Sequence, residues 1–316
     1  MRQNRAMKFS LLLVTASLAV AEHAALAQSS PAHDSLTFRR NSALLWNKLE
    51  ASVARVERAH DGLMGVAIRD LVTGQVLAIN ADELFPTAST IKIAILAELV
   101  RADQRGRVHL ADAYTVSASD VVGGSDIMEG LTPGVTRLTL RDLATMMVAV
   151  SDNSATNVLI DRLGADSVNA LLVELGLKET RLRRKMMDLK AAAAGRENTA
   201  TPRELVTLLA ALHHGTVLGA KGTDAFFALL STHKNSQIAR VLPDTVRVAT
   251  KPGDLDGVRN DCGVVFAPRR PFAICVMTTF DHDARAAEDA ISEVAAAAYS
   301  YFERVGTASA YGRRMP

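Results

Sequence analysis

A serine followed three residues later by a lysine, Ser89-Thr90-Ile91-Lys92, stands just after Pro86-Thr87-Ala88 and leads into the apolar run 93–100. The pattern predicts a helix that opens near the serine and is buried on nearly every face. Ser89 would sit in its first turn, where unpaired backbone amides and the positive end of the helix dipole favour a developing oxyanion. Lys92 falls on the same face, within reach of the hydroxyl. Burial disfavours the charged form of a lysine and turns it into a base, so the pair suits nucleophilic catalysis by a hydroxyl.

Two other short motifs bear on this chemistry. Ser151-Asp152-Asn153 follows the helical run 140–150 and offers a hydroxyl and an amide; taken alone it is a helix cap. Lys251-Pro252-Gly253 closes a strand pattern with a cation and a flexible backbone; taken alone it is a strand end. Spacing by itself is weak, since roughly one Ser-x-x-Lys arises by chance in a chain of this length. A second one, Ser231-Thr232-His233-Lys234, follows the apolar run 226–230 and so lies at a helix end, where the dipole has the wrong sign.

Together and in this order, the three motifs resemble the signature of class A β-lactamases and penicillin-binding proteins, Ser-x-x-Lys, Ser-Asp-Asn and Lys-Thr-Gly. The similarity extends through Leu131-Thr132-Pro133-Gly134, Ser154-Ala155-Thr156-Asn157, Asp161-Arg162-Leu163-Gly164, Glu179-Thr180-Arg181-Leu182 and Thr201-Pro202-Arg203. The resemblance implies that Ser89 attacks a lactam or acyl carbonyl while the amides of Ser89 and of Asp254, which follows Gly253, hold the oxyanion. It implies that Ser151 passes a proton to the leaving nitrogen, that Asn153 holds Lys92 and a substrate amide, and that Lys251 supplies positive potential for a substrate carboxylate. Arg259 falls near the family's carboxylate-binding arginine, out of register with it, and reads equally as a solvated surface charge. The implied partner is a small β-lactam or acyl-peptide. A peptidase or esterase on the same scaffold, and a β-lactam-binding or sensing module that acylates without turnover, are the alternatives.

The chain departs from the family twice. Counting from Glu179, the omega-loop positions that should hold a water-activating Glu and an Asn carry Met186 and Lys190, and neither substitutes as base or water ligand. General-base assistance is worth roughly 10²- to 10⁴-fold, so acylation with slow hydrolysis is expected. Asp188, the only carboxylate in the middle of the loop, is a candidate deacylation base if the loop is wound differently; a capping role is preferred. Arg184 is expected to close the loop against Glu197, with Asn198 where the family has Asp. Pro252 replaces a carboxylate-binding hydroxyl and fits a strand only at an edge or terminus.

These groups need a frame, and 316 residues, 48% of them apolar, suffice for a large core. A helical stripe over 41–59 precedes strand-like runs at 63–70 and 75–80 around Thr73-Gly74. From 87 to 230 the pattern is almost wholly helical, with a start at Thr139 and Asp142 and stops at Gly164 and Gly176. Its aperiodic stretch 178–200 ends at Thr201-Pro202-Arg203-Glu204, a capping residue, a first-turn proline and a reciprocal Glu. Strand patterns at 245–251, 258–267 and 272–279 and an Ala-rich helix at 284–304 complete the chain. The expected fold is α/β (α+β) and β-lactamase/transpeptidase-like: a five-stranded antiparallel sheet flanked by the terminal helices, plus an all-α lobe. Residues 28–86 with 231–316 are assigned to the first lobe and 87–230 to the second.

Arg2, Arg5 and Lys8, an apolar run over 9–21 and Ala25-Leu26-Ala27 read as a secretory signal cut after Ala27, which implies a periplasmic or secreted protein. The run is too short to span a bilayer and nothing later approaches ~20 apolar residues, so no membrane anchor is expected. Losing three basic residues and one acid takes the formal charge from +2 to zero, which argues against nucleic acid or anionic lipid as partner. No cofactor motif is present, and a monomer is expected. His213-His214 and Asp281-His282-Asp283 read as solvated pairs rather than a metal site. Cys262 and Cys275, on neighbouring strands, are either a disulfide or two small buried apolar residues; the second reading is preferred.

Overall fold

The computed structural model describes residues 35–315, so the leader and its cleavage after Ala27 lie outside the described residues. Ser35 caps the first helix, α1 (Leu36–Ala59), and is followed by the hairpin β1 (Leu63–Asp70) and β2 (Val76–Ile79). The short β3 (Phe85–Pro86) leads through a 3₁₀ turn, Ala88–Ile91, into α2 (Lys92–Gln104). Then come β4 (Ala113–Thr115), β5 (Arg137–Thr139), α3 (Leu140–Ala149), α4 (Asn153–Leu163), α5 (Ala165–Glu174), α6 (Leu189–Ala193), β6 (Thr199–Ala200), α7 (Pro202–His213) and α8 (Gly219–Leu230). The chain finishes with β7 (Val248–Leu255), β8 (Val258–Val265), β9 (Phe272–Thr279) and α9 (Ala284–Thr307).

Five strands form one sheet in the order β2-β1-β9-β8-β7, each antiparallel to its neighbour, as the sequence predicts. Side chains alternate across a strand, so the buried central strands feed two cores. Met64, Val66, Ile68, Ile274 and Val276 pack under α1 and α9, where Trp46 meets Tyr301 edge-on at 5.3 Å. Ala67, Cys262, Val264, Cys275 and Met277 join the other core, shared with α2, α3, α4, α7 and α8. Every residue of α2 from Lys92 to Ala102 is buried, which is why its sequence is apolar on nearly every face, the buried Glu98 and Arg101 pairing with each other.

The structure differs from the sequence reading in four places. The stretch read as wholly helical also holds two small two-stranded pairings, β3 with β6 and β4 with β5. Ser89 lies in the 3₁₀ turn rather than in the first turn of an α-helix. Glu204 does not reach back to close a capping box. Thr201 caps α7 through Glu204 N, while the Glu204 carboxylate accepts from the amides of Lys178, Glu179 and Thr180 and pins the start of the omega loop. The cysteines are joined: the β8–β9 register sets Cys262 directly opposite Cys275, bringing their sulfur atoms within bonding reach, so the preferred reading of two unpaired residues is corrected. No described helix is long and apolar enough to cross a membrane.

Candidate active site

The turn that carries Ser89 is built under constraint. Ala88 has φ +46°, a left-handed conformation that costs an L-residue of order 1 kcal/mol or more unless its surroundings enforce it. They do so from two sides. Thr87 N donates to Asn198 O at 2.8 Å, at the exit of the omega loop, and Asn260 Nδ2 on β8 donates to the carbonyls of Pro86 (2.9 Å) and Thr87 (3.1 Å). In a 3₁₀ turn, residues three apart eclipse one another, so Ser89 and Lys92 share a side although the α-helix starts only at Lys92.

Ser151 also has a left-handed backbone, φ +60°, in the break between α3 and α4. The buried Asp152 beside it fixes that break: Oδ1 accepts from Ala155 N at 2.9 Å and Oδ2 from Met128 N at 2.9 Å. Ser151 Oγ is thereby aimed at the nucleophile and donates to Ser89 Oγ at 2.8 Å. Lys92 Nζ donates to Ser151 O (2.6 Å), Ser151 Oγ (2.9 Å) and Asn153 Oδ1 (3.0 Å). From the sheet edge, Lys251 Nζ reaches Ser151 Oγ at 3.2 Å and Pro252 O at 2.8 Å. Ser151 Oγ is thus the point where nucleophile and both amines meet.

Both lysines are 1% exposed, and no described carboxylate lies within ion-pair distance of either. Burial, reinforced by the charge of Lys251, holds Lys92 well below the ordinary lysine range. Burial likewise pushes Lys251 down to about 7, against the opposing pull of Asp261 and Asp254. A buried amine whose charged form is disfavoured, one hydroxyl away from Ser89, is the chemical content of the cluster.

Gly253 explains itself sterically. A Cβ there would lie 2.6 Å from Ser89 N and 3.0 Å from Thr87 O, so only glycine leaves the Ser89 amide open to a ligand. Asp254 follows it at the rim of a cavity of about 480 Å³ that Ser151, Lys234, Gln237, Lys251 and Gly253 also line. Pro252 lies in an edge strand, where its missing N–H can be accommodated.

Arg259 lines the same cavity with its charge already engaged. Its Nη1 donates to Leu255 O and Val258 O, at 2.7 and 2.8 Å, and its Nε lies 3.3 Å from Glu288 Oε1 on α9. In the omega loop, Met186 is buried and exchanges backbone hydrogen bonds with the Asn157 side chain (2.8 and 3.1 Å), while Lys190 is exposed. Asp188 Oδ1 accepts from Ala191 N at 2.9 Å and caps α6, the capping role. Arg184 closes the loop on Glu197 at 2.7 Å, and Asn198 Oδ1 accepts from the amides of Arg183 and Arg184.

Sequence reasoning missed Asn260, and it missed what Asn198 and Lys234, both noted there, contact. The first two act through backbone carbonyls that no motif marks, and the third comes to the cavity through the path of its loop. It also misjudged His213, which is not solvated: it packs against Phe227 and Phe266, and burial pushes its imidazole down to about 4. Among the described residues no group of three or more His, Cys, Asp or Glu could hold a metal.

A family model described as the beta-lactamase enzyme family matches residues 48–302. The chain is 34% identical to β-lactamase AST-1 of Nocardia asteroides, over 72% of this chain and 74% of that protein. An ancestral class A β-lactamase (GNCA, the last common ancestor of Gram-negative bacteria) superposes with a TM-score of 0.75 and 30% identity, over 80% of this chain and 100% of that one. PBP-A superposes with a TM-score of 0.74 and 27% identity, over 81% and 96%; a PBP-A mutant solved as an acyl-enzyme complex with penicillin G gives 0.73 and 28%, over 81% and 97%. With the sheet, the three motifs and these similarities in agreement, the chain belongs to the class A β-lactamase family.

Proposed function

We propose that this protein is an exported serine hydrolase that opens β-lactams through an acyl-enzyme on Ser89 and releases the product slowly. The observation that carries the reading is the position of Ser151 Oγ, within 3.2 Å of Ser89 Oγ, Lys92 Nζ and Lys251 Nζ at once. Ser89 Oγ attacks the lactam carbonyl as its proton passes through Ser151 to the neutral Lys92. The carbonyl oxygen gains charge facing the amides of Ser89 and Asp254. Collapse breaks the carbon–nitrogen bond, Ser151 returns a proton to the nitrogen, and an ester on Ser89 remains. Asn153 fixes Lys92, and Lys251 gives the cleft its positive potential. The basic and apolar pattern before Ala27 supports export.

Release of the ester needs an activated water. Met186 carries no base, and the Asp188 carboxylate is occupied in capping α6. The same observation favours a second reading, a protein that acylates and stops; PBP-A, whose mutant was captured as a penicillin acyl-enzyme, is the relevant relative. Intact mass of the mature protein after mixing with penicillin G and a chromogenic cephalosporin, followed over time beside Ser89→Ala, tests both. A transient adduct with steady turnover supports the first reading and a persistent adduct the second. If neither compound leaves a Ser89-dependent adduct or is turned over, both fall and cleavage of peptides or simple esters becomes the reading.

A further inference from the structure

The segment after α8 folds back along the open edge of β7 and brings Lys234 and Gln237 into the wall of the cavity that Ser151 and Lys251 of the catalytic cluster also line. A buried latch holds this segment there. Asp261, on β8 opposite Pro252, accepts from Ser236 Oγ at 2.6 Å and Ile238 N at 3.1 Å, and Thr250 Oγ1 on β7 donates to Ser236 Oγ at 3.0 Å. Asp261 thus fixes the residues on either side of Gln237, Ser236 and Ile238, a short way beyond Lys234 in the chain.

Lys234 is an underused cation. Its Nζ makes one hydrogen bond, to Leu230 O at 2.7 Å, and no described carboxylate lies within ion-pair distance. The buried Gln237 Oε1 in the same wall has no donor, so the wall carries unused polar capacity. Arg259, the cation that sequence position points to, is taken up by Glu288 and two backbone carbonyls.

We propose that Lys234, not Arg259, is the second specificity-determining cation of the cleft, and that with Lys251 it receives the carboxylate of the substrate. The inference rests on the acyl-enzyme reading for its substrate and on the cavity wall for its residue. It supplies what Pro252 withholds, a side-chain donor for an anionic substrate on the β7 edge. The arrangement has a proton linkage. Burial pushes Lys234 down to about 8 and Lys251 to about 7, and an incoming carboxylate restores charge to both, so anion binding takes up protons at neutral and alkaline pH. The charged groups around Lys234 are Lys251 and Asp254 on β7, Arg259 and the buried Asp261 on β8, Glu288 on α9, Asp126 at the rim, and His233 and Arg240 on its own segment. Glu288 is paired with Arg259 and Arg240, while Asp126 and Asp254 are solvated, which leaves Lys234 and Lys251 facing the single buried carboxylate of Asp261 in the interior of the wall.

The test compares acylation of the mature protein by penicillin G and by its methyl ester, read as intact mass against time. In Lys234→Met the acid should acylate roughly tenfold more slowly or worse while the ester changes less than twofold, and Lys234→Arg should restore the acid. Equal loss on acid and ester, or no loss on the acid, overturns the proposal. A second measurement needs neither acylation nor a variant that folds: ¹³Cε-lysine resonances of the unaltered protein are titrated with N-acetylglycine or its methyl ester. The anion alone should raise the Lys234 midpoint, and a midpoint that ignores the anion, or answers equally to the ester, sinks the inference. If penicillin leaves no adduct yet the anion moves Lys234, the acyl-enzyme reading has failed and the anion site stands.

Discussion

The cluster around Ser89 and the middle of the omega loop are both tied to the nucleophile turn, and they have been treated in opposite ways. Five side chains from three distant segments, Ser89, Lys92, Ser151, Asn153 and Lys251, are linked by contacts of 3.2 Å or less, and two left-handed residues, Ala88 and Ser151, are held in place to achieve it. In the loop, the contacts that position Met186 use its backbone, and the central carboxylate is given to a short helix. Groups that must form a bond to substrate are specified atom by atom, whereas the loop is specified only as a path. The loop keeps its path, and the side chain it carries at position 186 is a thioether that cannot take up a proton from water.

The sharpest way to break this contrast is to put the missing group back. Met186→Glu should speed loss of the acyl adduct by about 10²- to 10⁴-fold while leaving the rate of adduct formation within a few-fold of the parent, as read by intact mass after removal of free penicillin. An adduct that persists unchanged would mean that the loop positions residue 186 away from the ester. Gly253→Ala attacks the other side. A methyl 2.6 Å from Ser89 N obstructs the amide, so acylation should fall by about 10²- to 10³-fold, with the spontaneous decay of preformed adduct much less affected.

A pH profile separates the two regions without mutation. Lys92 must be neutral to take a proton, and burial together with the charge of Lys251 shifts it toward that form. Lys251 carries its charge below about 7 and loses it above, so acylation by a carboxylate-bearing substrate should decline as pH rises through that value. Met186 offers hydrolysis of the isolated acyl-enzyme no base and Asp188 is engaged as a cap, so its rate should show no acid inflection in the carboxylate range. Stopped-flow acylation against pH, set beside adduct decay after a pH jump, checks both limbs.

How much of this was legible in the sequence follows from the range over which each constraint acts. Ser89 and Lys92, and Ser151 with Asn153, are read from spacing because a single turn or break sets their geometry. The central strands are legible because burial on both faces makes each a short apolar run bounded by turn residues. The disulfide was not, since only the β8–β9 register decides that Cys262 faces Cys275. Asn198 and Asn260 contribute carbonyl and amide contacts to a turn more than a hundred residues away in sequence, and nothing in their neighbours announces it. Lys234 shows a subtler failure. It was correctly read as lying past a helix end, and its Nζ does satisfy the terminal Leu230 carbonyl, but periodicity carries no information on where the segment beyond that end will fold.

The smallest expected effect is the most discriminating for the loop. Asp188 is exposed and caps α6 through Ala191 N, so Asp188→Ala should cost about 1 kcal/mol of local stability, the usual loss for a helix cap, and alter adduct decay by less than twofold. Asp188→Asn should restore the cap, because an amide oxygen accepts the same hydrogen bond, and thermal melting of the three proteins reads that difference directly. The pair matters because the two roles predict opposite orders. A cap tolerates Asn and suffers from Ala, whereas a general base is lost equally in both. If adduct decay slows in Asp188→Asn and Asp188→Ala alike, the loop does carry its own base, and the contrast between a fully specified acylation cluster and a loop kept only as a path disappears.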